Sequence, residues 1–216
     1  MMIANMSRLE FKTLTKDRRL IMKPEIKLCL IAFAAFADIQ ESLSRRINMP
    51  EIKSVASWAS GSQENIALLW SLARSEDRMT CVNALWSMTH LPATDAKLLL
   101  PLRDEMIDML LVEIDTGKKR MLLQLLREQE YCKEDVRTDF LDYCLSKINS
   151  ECESCSIRCF SIYAAYKMCR HFPELITELE GHLDMMRYQT LSPGLTSAFR
   201  HTKSKIARLR KSNGWQ

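Results

Sequence analysis

Two segments of this chain, residues 88–92 and 168–173, share the order Met, His, large apolar residue, Pro. Each follows an apolar stretch with helical spacing, and a proline at that place stops or bends a helix. When the preceding helices are aligned, four positions recur at spacings of 40, 38 and 40, namely Cys81, Met121, Cys159 and Phe199. A period near 40 with two amphipathic helices in each unit limits the fold to a helical-repeat array.

Local patterns support an all-α chain. No stretch shows the sustained alternation typical of a strand, and four of the five glycines lie at breaks between helical segments, Gly61, Gly117, Gly194 and Gly214. We therefore predict a right-handed α-solenoid of four to five antiparallel helix hairpins. Its expected parts are a loosely ordered extension over 1–23, a helix over 24–49, the repeat domain with its capping helix over 50–211, and a tail over 212–216.

The chain resembles the HEAT-like (armadillo/HEAT-type) repeat proteins, particularly small bacterial members. In these, His-[Leu/Phe]-Pro closes a first helix and a short final helix, here residues 192–206, ends the array. The resemblance covers about residues 50–210 and implies a curved solenoid that acts as a non-enzymatic binding platform without a cofactor. The chain lacks a regularly placed basic residue in its second helices, so the resemblance transfers no role to individual repeats.

An apolar run of ten residues, 28–37, lies near the N-terminus. A helix that spans a bilayer needs about 20 residues, so this run is too short. If translation began at Met22, the run would follow Lys23 and Lys27 and precede an Ala-x-Ala cleavage site at 35–37, as in an export signal. Translation from Met1 and the many thiols favour the cytoplasm instead, without membrane association.

Charge is unevenly distributed along the chain. Residues 1–50 hold 9 Lys/Arg and 5 Asp/Glu, residues 51–186 hold 15 and 22, and residues 187–216 hold 7 and none. A groove for nucleic acid should be basic, because phosphate contacts supply most of its affinity. The acidic middle therefore disfavours nucleic acid, and the basic C-terminal helix is the part that could bind it.

The C-x2-C-x3-C array of Cys152, Cys155 and Cys159 invites a metal or redox interpretation. Ser150 and Glu153 read as a capping box, which would place all three cysteines inside one helix. They would then be too far apart to share one tetrahedral ion, since a helix rises about 1.5 Å per residue. We expect them to pack in the core as small apolar side chains.

No motif for a nucleophile, a P-loop, a dinucleotide site or a zinc peptidase occurs in the sequence. His90 and His171 are expected to cap helix ends, and Asp104 with Asp108 to form a solvated face. An adenylosuccinate lyase activity is not supported, because the Gly-Ser-Ser-x-Met-Pro-like loop of those enzymes is absent. We predict no catalytic, cofactor or metal residues.

The remaining hypothesis is binding of a partner protein through the concave face, which we expect the second helix of each hairpin to form. The alternative is a nucleic-acid-binding protein like the helical-repeat DNA-repair glycosylases, using the basic C-terminal helix. Trp is frequent at interface hot spots, and the C-terminal helix concentrates cations. The candidate partner-binding residues are Arg200, Lys203, Arg208, Arg210, Lys211 and Trp86.

Overall fold

The computed structural model describes residues 24–215, with side chains from residue 34 onward. The predicted extension over 1–23 and the alternative start at Met22 lie outside the described residues. The chain divides into two compact units at residues 41 and 42. In the first unit the described residues form helix α1, Pro24–Leu43, whose last two residues belong to the second unit.

The second unit is an all-α solenoid, as predicted. Its helices are α2 (Met49–Ala59), α3 (Gln63–Ala73), α4 (Arg78–Met88), α5 (Arg103–Val112), α6 (Thr116–Glu128), α7 (Thr138–Ile148), α8 (Cys155–Cys169), α9 (Pro173–Met185) and α10 (Pro193–Asn213). A 3₁₀ segment, Ala93–Leu102, precedes α5, and two shorter 3₁₀ turns lie at Lys133–Asp135 and Met186–Tyr188. No strand occurs between residues 24 and 215.

The helices of this unit form two layers. The first layer holds α2, α4, α6, α8 and α10, and each packs on the next one along the chain. The second layer holds α3, the long 3₁₀ segment with α5, α7 and α9, which also follow one another in space. Each second-layer helix packs against its first-layer neighbours, so the core lies between the layers.

The repeat is most regular at the N-termini of the first-layer helices. In all five, a side chain accepts a hydrogen bond from the backbone N–H three residues later, which satisfies a donor that the helix leaves unpaired. Asn48 is this N-cap in α2. In the four later helices the N-caps are Asp77, Asp115, Ser154 and Ser192, at spacings of 38, 39 and 38. The predicted period near 40 is confirmed.

The core is apolar with a few satisfied polar groups. Phe140 in α7 and Ile162 in α8 are fully buried. Buried Asn83 donates from Nδ2 to the carbonyls of Leu43 and Arg45, both at 2.9 Å. Such bonds tie neighbouring turns together without leaving a buried donor unpaired.

The expected start of α8 is wrong. The helix begins at Cys155, with Ser154 as its N-cap, and Cys152 lies in the preceding turn. Counting from the N-caps also breaks up the predicted column of Cys81, Met121, Cys159 and Phe199. These residues lie four, six, five and seven positions after their caps. Alignment on side-chain type placed the helices up to three residues out of register.

Candidate interaction surface

The first layer presents one continuous stripe of accessible side chains. Residues five, nine and twelve positions after each N-cap lie on one helix face, because these spacings follow the helical period. Every one of them is half-buried or exposed in α4, α6, α8 and α10. We call this set the outer face: Val82, Trp86, Thr89, Arg120, Gln124, Arg127, Cys159, Tyr163, Tyr166, Ser197, His201 and Ser204.

Side chains of the outer face touch across three successive helices. The guanidinium of Arg127 in α6 lies 4.2 Å from the ring centre of Phe160 and 5.8 Å from that of Tyr163, both in α8. Tyr163 in turn meets His201 of α10 edge to face, with ring centres 6.4 Å apart. These cation–aromatic and aromatic contacts hold the rings in fixed orientations.

A second cation–aromatic contact joins α8 and α10 on the outer face. The Nζ atom of Lys205 in α10 lies 5.5 Å from the ring centre of Tyr166 in α8. Burial raises the pKa of Tyr163 and of Tyr166, so both hydroxyls remain protonated at neutral pH. The outer face therefore offers neutral hydroxyl donors beside two fixed cations, of which Arg127 is paired with Glu128 at 3.0 Å.

Charge separates by layer. Helices α4, α6, α8 and α10 together carry 13 Lys/Arg and one Asp/Glu, whereas α3, α5, α7 and α9 carry 2 and 10. Helix α2 holds one charge of each sign. The acidic balance of the middle of the chain thus belongs to the second layer, and the first-layer helices are basic.

Part of the positive charge is neutralised by carboxylates at the layer boundary. Lys203 lies 3.2 Å from Glu180 Oε1, and Arg210 lies 2.8 Å from Glu180 Oε2. Lys167 and Arg170 both hold Glu130, at 3.1 and 2.9 Å. Burial alone would raise the pKa of Glu130, but the two cations outweigh it and lower that pKa.

The predicted partner-binding residues fall into separate groups. Arg200, Arg208 and Lys211 are exposed on α10. Lys203 and Arg210 instead face α9, where they pair with Glu180. Trp86 is half-buried on the outer face of α4, where its ring meets His90 edge to face with centres 6.2 Å apart.

The cysteines do not behave as predicted. Cys152 and Cys155 are exposed and Cys159 is half-buried, while Cys169 is buried and burial raises its pKa to about 12. Cys152 precedes the helix, Cys155 is its first residue and Cys159 lies on the outer face, so none of the three enters the core. Among the described residues, no three His, Cys, Asp or Glu side chains are grouped as a metal ion would require.

The histidine predictions are half right. His90 Nδ1 lies 2.9 Å from the carbonyl oxygen of Trp86 in its own helix, as expected for a C-terminal cap. His171 Nε2 instead lies 2.7 Å from the carbonyl oxygen of Tyr131, which precedes α7 in the adjacent hairpin. Asp108 is exposed and pairs with Arg137 at 2.7 Å, which agrees with a solvated face.

Sequence reasoning missed Arg127, Tyr163 and His201. Their signal was present, because Trp86, Gln124, Tyr163 and His201 each lie nine residues after an N-cap. Alignment on the caps, rather than on Cys and Met, would have placed Tyr163 and His201 in one column and Arg127, twelve residues after its cap, in the next column on the same face.

The model of the HEAT repeat domain family matches residues 39–206 of the chain. Comparison with curated proteins gave no match. Within the part of the chain that the structure describes, no helix is both long and apolar enough to cross a membrane.

Proposed function

This chain belongs to the HEAT repeat domain family, and from that premise we propose that it is a non-enzymatic scaffold that binds a partner protein through the outer face. The observation that carries the proposal is the chain of contacts from Arg127 through Tyr163 to His201. Arg and Tyr are enriched at protein interfaces, and rings that are already fixed lose little entropy on binding.

We place this surface on the concave side of the array. The first-layer helices pack on one another more extensively than the second-layer helices do. In a curved stack, the helices on the concave side lie closer together than those on the convex side. The first layer is therefore the concave one, and the outer face, which points away from the core, lines its concave surface. This differs from the sequence-based expectation that the second helices form the concave face.

A non-enzymatic role agrees with the chemistry of the surface. Catalysis needs a nucleophile, acid or base in reach of a partner group. The described part of the outer face offers His201 against a tyrosine ring and the Cys159 thiol, whose pKa burial raises. A thiol with a raised pKa is a poor nucleophile at neutral pH.

Nucleic acid is the second candidate, because Arg200, Arg208 and Lys211 are exposed on α10 and lie outside every ion pair of the described side chains. Such cations are the electrostatic footprint of a phosphate-binding surface. A cytoplasmic location is also part of the proposal, since all seven cysteines of residues 34–215 are free thiols.

The test is site-specific photo-crosslinking in nuclease-treated native lysate. A photoreactive residue replaces Gln124 on the outer face or, as the matched control, exposed Asp142 on α7. We expect one defined protein adduct from position 124, and its loss when Arg120→Glu is added. Adducts from position 142 alone would show that the partner binds the second layer and would contradict the proposal. A partner that disappears with nuclease would establish the nucleic-acid alternative instead.

A further inference from the structure

Five exposed cations lie on or beside the outer face and enter no ion pair with the described side chains, namely Arg120, Arg200, Lys205, Arg208 and Lys211. Arg120 and Arg208 lie on α6 and α10, at either end of the aromatic contacts. The only carboxylate in α4, α6, α8 and α10 is that of Glu128. An unpaired surface of one sign attracts a ligand of the opposite sign and speeds its association.

The molecule already shows which anion these helices hold. Glu180 accepts from Lys203 and Arg210, and Glu130 accepts from Lys167 and Arg170. In both cases one carboxylate joins two cations, one helical turn or two apart. A partner carboxylate laid on the outer face would repeat this arrangement with Arg120 or Arg208.

The aromatic rings are less suited to nucleic acid. Proteins that bind single strands use open ring faces on which bases stack. Here the Arg127 guanidinium covers Phe160, and the Lys205 ammonium lies over Tyr166. A cation thus already lies on one face of each of these two rings, and an apolar side chain can pack at their edges.

The second layer also opposes a large polyanion. It carries 10 Asp/Glu against 2 Lys/Arg on its four helices. The two layers lie about 10 Å apart, close to the Debye length of about 8 Å at physiological ionic strength. A thin segment on the outer face is screened from these carboxylates, whereas a nucleic acid extending beyond the array would be repelled by them.

We infer that the outer face between α6 and α10 binds an extended, acidic segment of a partner protein. The inference rests on the proposed function and names the chemistry of the partner. Two helix spacings of about 10 Å separate α6 from α10. Arg120 lies five residues and Arg208 sixteen residues after the N-caps of their helices, so the two are also offset by about 16 Å along the helix axis. An extended chain covers about 3.3 Å per residue, so the segment that joins them has about eight residues, with Asp or Glu near each end, beside Arg120 and Arg208, and an apolar residue beside Tyr163.

The experiment measures fluorescence anisotropy of three labelled probes on the full chain. The first probe is the peptide Ser-Asp-Glu-Ser-Phe-Ser-Glu-Asp-Ser, the second has Asn and Gln in place of Asp and Glu, and the third is a nine-nucleotide single-stranded DNA. We expect the acidic peptide to bind at least about tenfold more tightly than the neutral one, and to weaken about tenfold between 50 and 300 mM NaCl.

Variants locate the binding. Arg120→Glu with Arg208→Glu should weaken the acidic peptide about tenfold or more, since a favourable pair becomes a like-charge pair at each end. Lys97→Glu, which reverses an exposed cation of the 3₁₀ segment in the second layer, should change affinity by less than about twofold. Circular dichroism verifies that each variant is folded.

Three results would overturn the inference: equal binding of acidic and neutral peptides, tighter binding of the DNA, or no binding of the acidic peptide up to about 1 mM. If position 124 still crosslinks a protein while the acidic peptide fails, the proposed function stands and only the acidic segment is refuted. If position 124 crosslinks nothing and the peptide binds, the proposed protein partner is what fails.

Discussion

The two helix layers both line the core but are opposite in charge. Four first-layer helices carry 13 Lys/Arg and one Asp/Glu, and the four second-layer helices carry 2 and 10. Because the layers alternate along the chain, their charges cancel in any window that includes a whole hairpin. A repeat protein can therefore hide a strongly basic surface inside a segment that is acidic on average.

The difference extends to the contacts between the layers. Glu180 of α9 holds Lys203 and Arg210 of α10, so opposite charges meet where the layers touch. Away from that boundary each surface keeps its own sign. Opposite charges thus attract each other where the layers meet, and the two solvent-facing surfaces offer charges of opposite sign to a partner.

The largest expected effect is the loss of unfolding free energy when a core side chain is truncated, compared between the two layers. Ile162 in α8 and Leu179 in α9 are both fully buried, and α8 packs on four helices, α6, α7, α9 and α10. Ile162→Ala should lower the free energy of unfolding by about 4 kcal/mol and Leu179→Ala by about 2–3 kcal/mol, since the cavity in α8 has less freedom to collapse. Urea unfolding measures both.

A larger loss for Leu179→Ala would reverse this part of the comparison. It would mean that the second layer, despite its looser packing along the array, holds the unit together.

A smaller effect is expected from the charges that join the layers. The side chain of Glu180 is 24% exposed and bonds two cations. Glu180→Gln should lower the free energy of unfolding by about 1 kcal/mol, because partial exposure screens the pairs. Exposed Glu178 on the same helix gives the matched control, Glu178→Gln, with a loss near zero. The Glu180 effect should shrink in about 1 M NaCl; an effect that persists there would be steric instead.

The smallest expected effect is a difference in the pH dependence of stability between the Asp-capped and the Ser-capped helices of the first layer. A hydrogen bond from Arg78, then one from the Lys118 N–H, lowers the pKa of Asp115. Its contribution to stability is therefore complete above its unfolded pKa of about 4 and is lost as pH falls through the lower folded pKa. Asn caps as well as Asp but does not titrate.

Urea unfolding at pH 6 and at pH 2.5 measures how much the free energy of unfolding falls on acidification. This fall should be roughly 0.5 kcal/mol smaller for Asp115→Asn than for the wild type. Ser154→Asn, at a cap without a carboxylate, should leave the pH dependence unchanged. Equal pH dependence of the wild type and Asp115→Asn would show that this cap adds nothing to acid sensitivity.

Much of the fold could be predicted from sequence. Pro92 and Pro173 follow the ends of helices α4 and α8, and their spacing gave the period. Helix ends depend on local chemistry, which the sequence contains. The start of α8 could not be predicted, because Ser150 and Ser154 both offer a capping hydroxyl and the local sequence does not decide between them; in the structure Ser154 accepts from the Ile157 N–H.

The candidate surface was only partly predictable. Arg200, Arg208 and Lys211 were identified from the charge of the C-terminal helix and are exposed there. Lys203 and Arg210 have the same chemistry, yet they face α9. Residue type alone does not distinguish a cation that meets a carboxylate from one that meets solvent.

By itself, the sequence determined an all-α repeat array with a period near 40 and membership of the HEAT repeat domain family. Helical periodicity and breaker residues are local properties, so they can be read without knowing what packs on what. Only the tertiary structure decided that the basic helices form one layer and that Arg127, Tyr163 and His201 meet across it. These residues are 36 and 38 positions apart in the chain. Their contact depends on how each helix rotates to bury its apolar side.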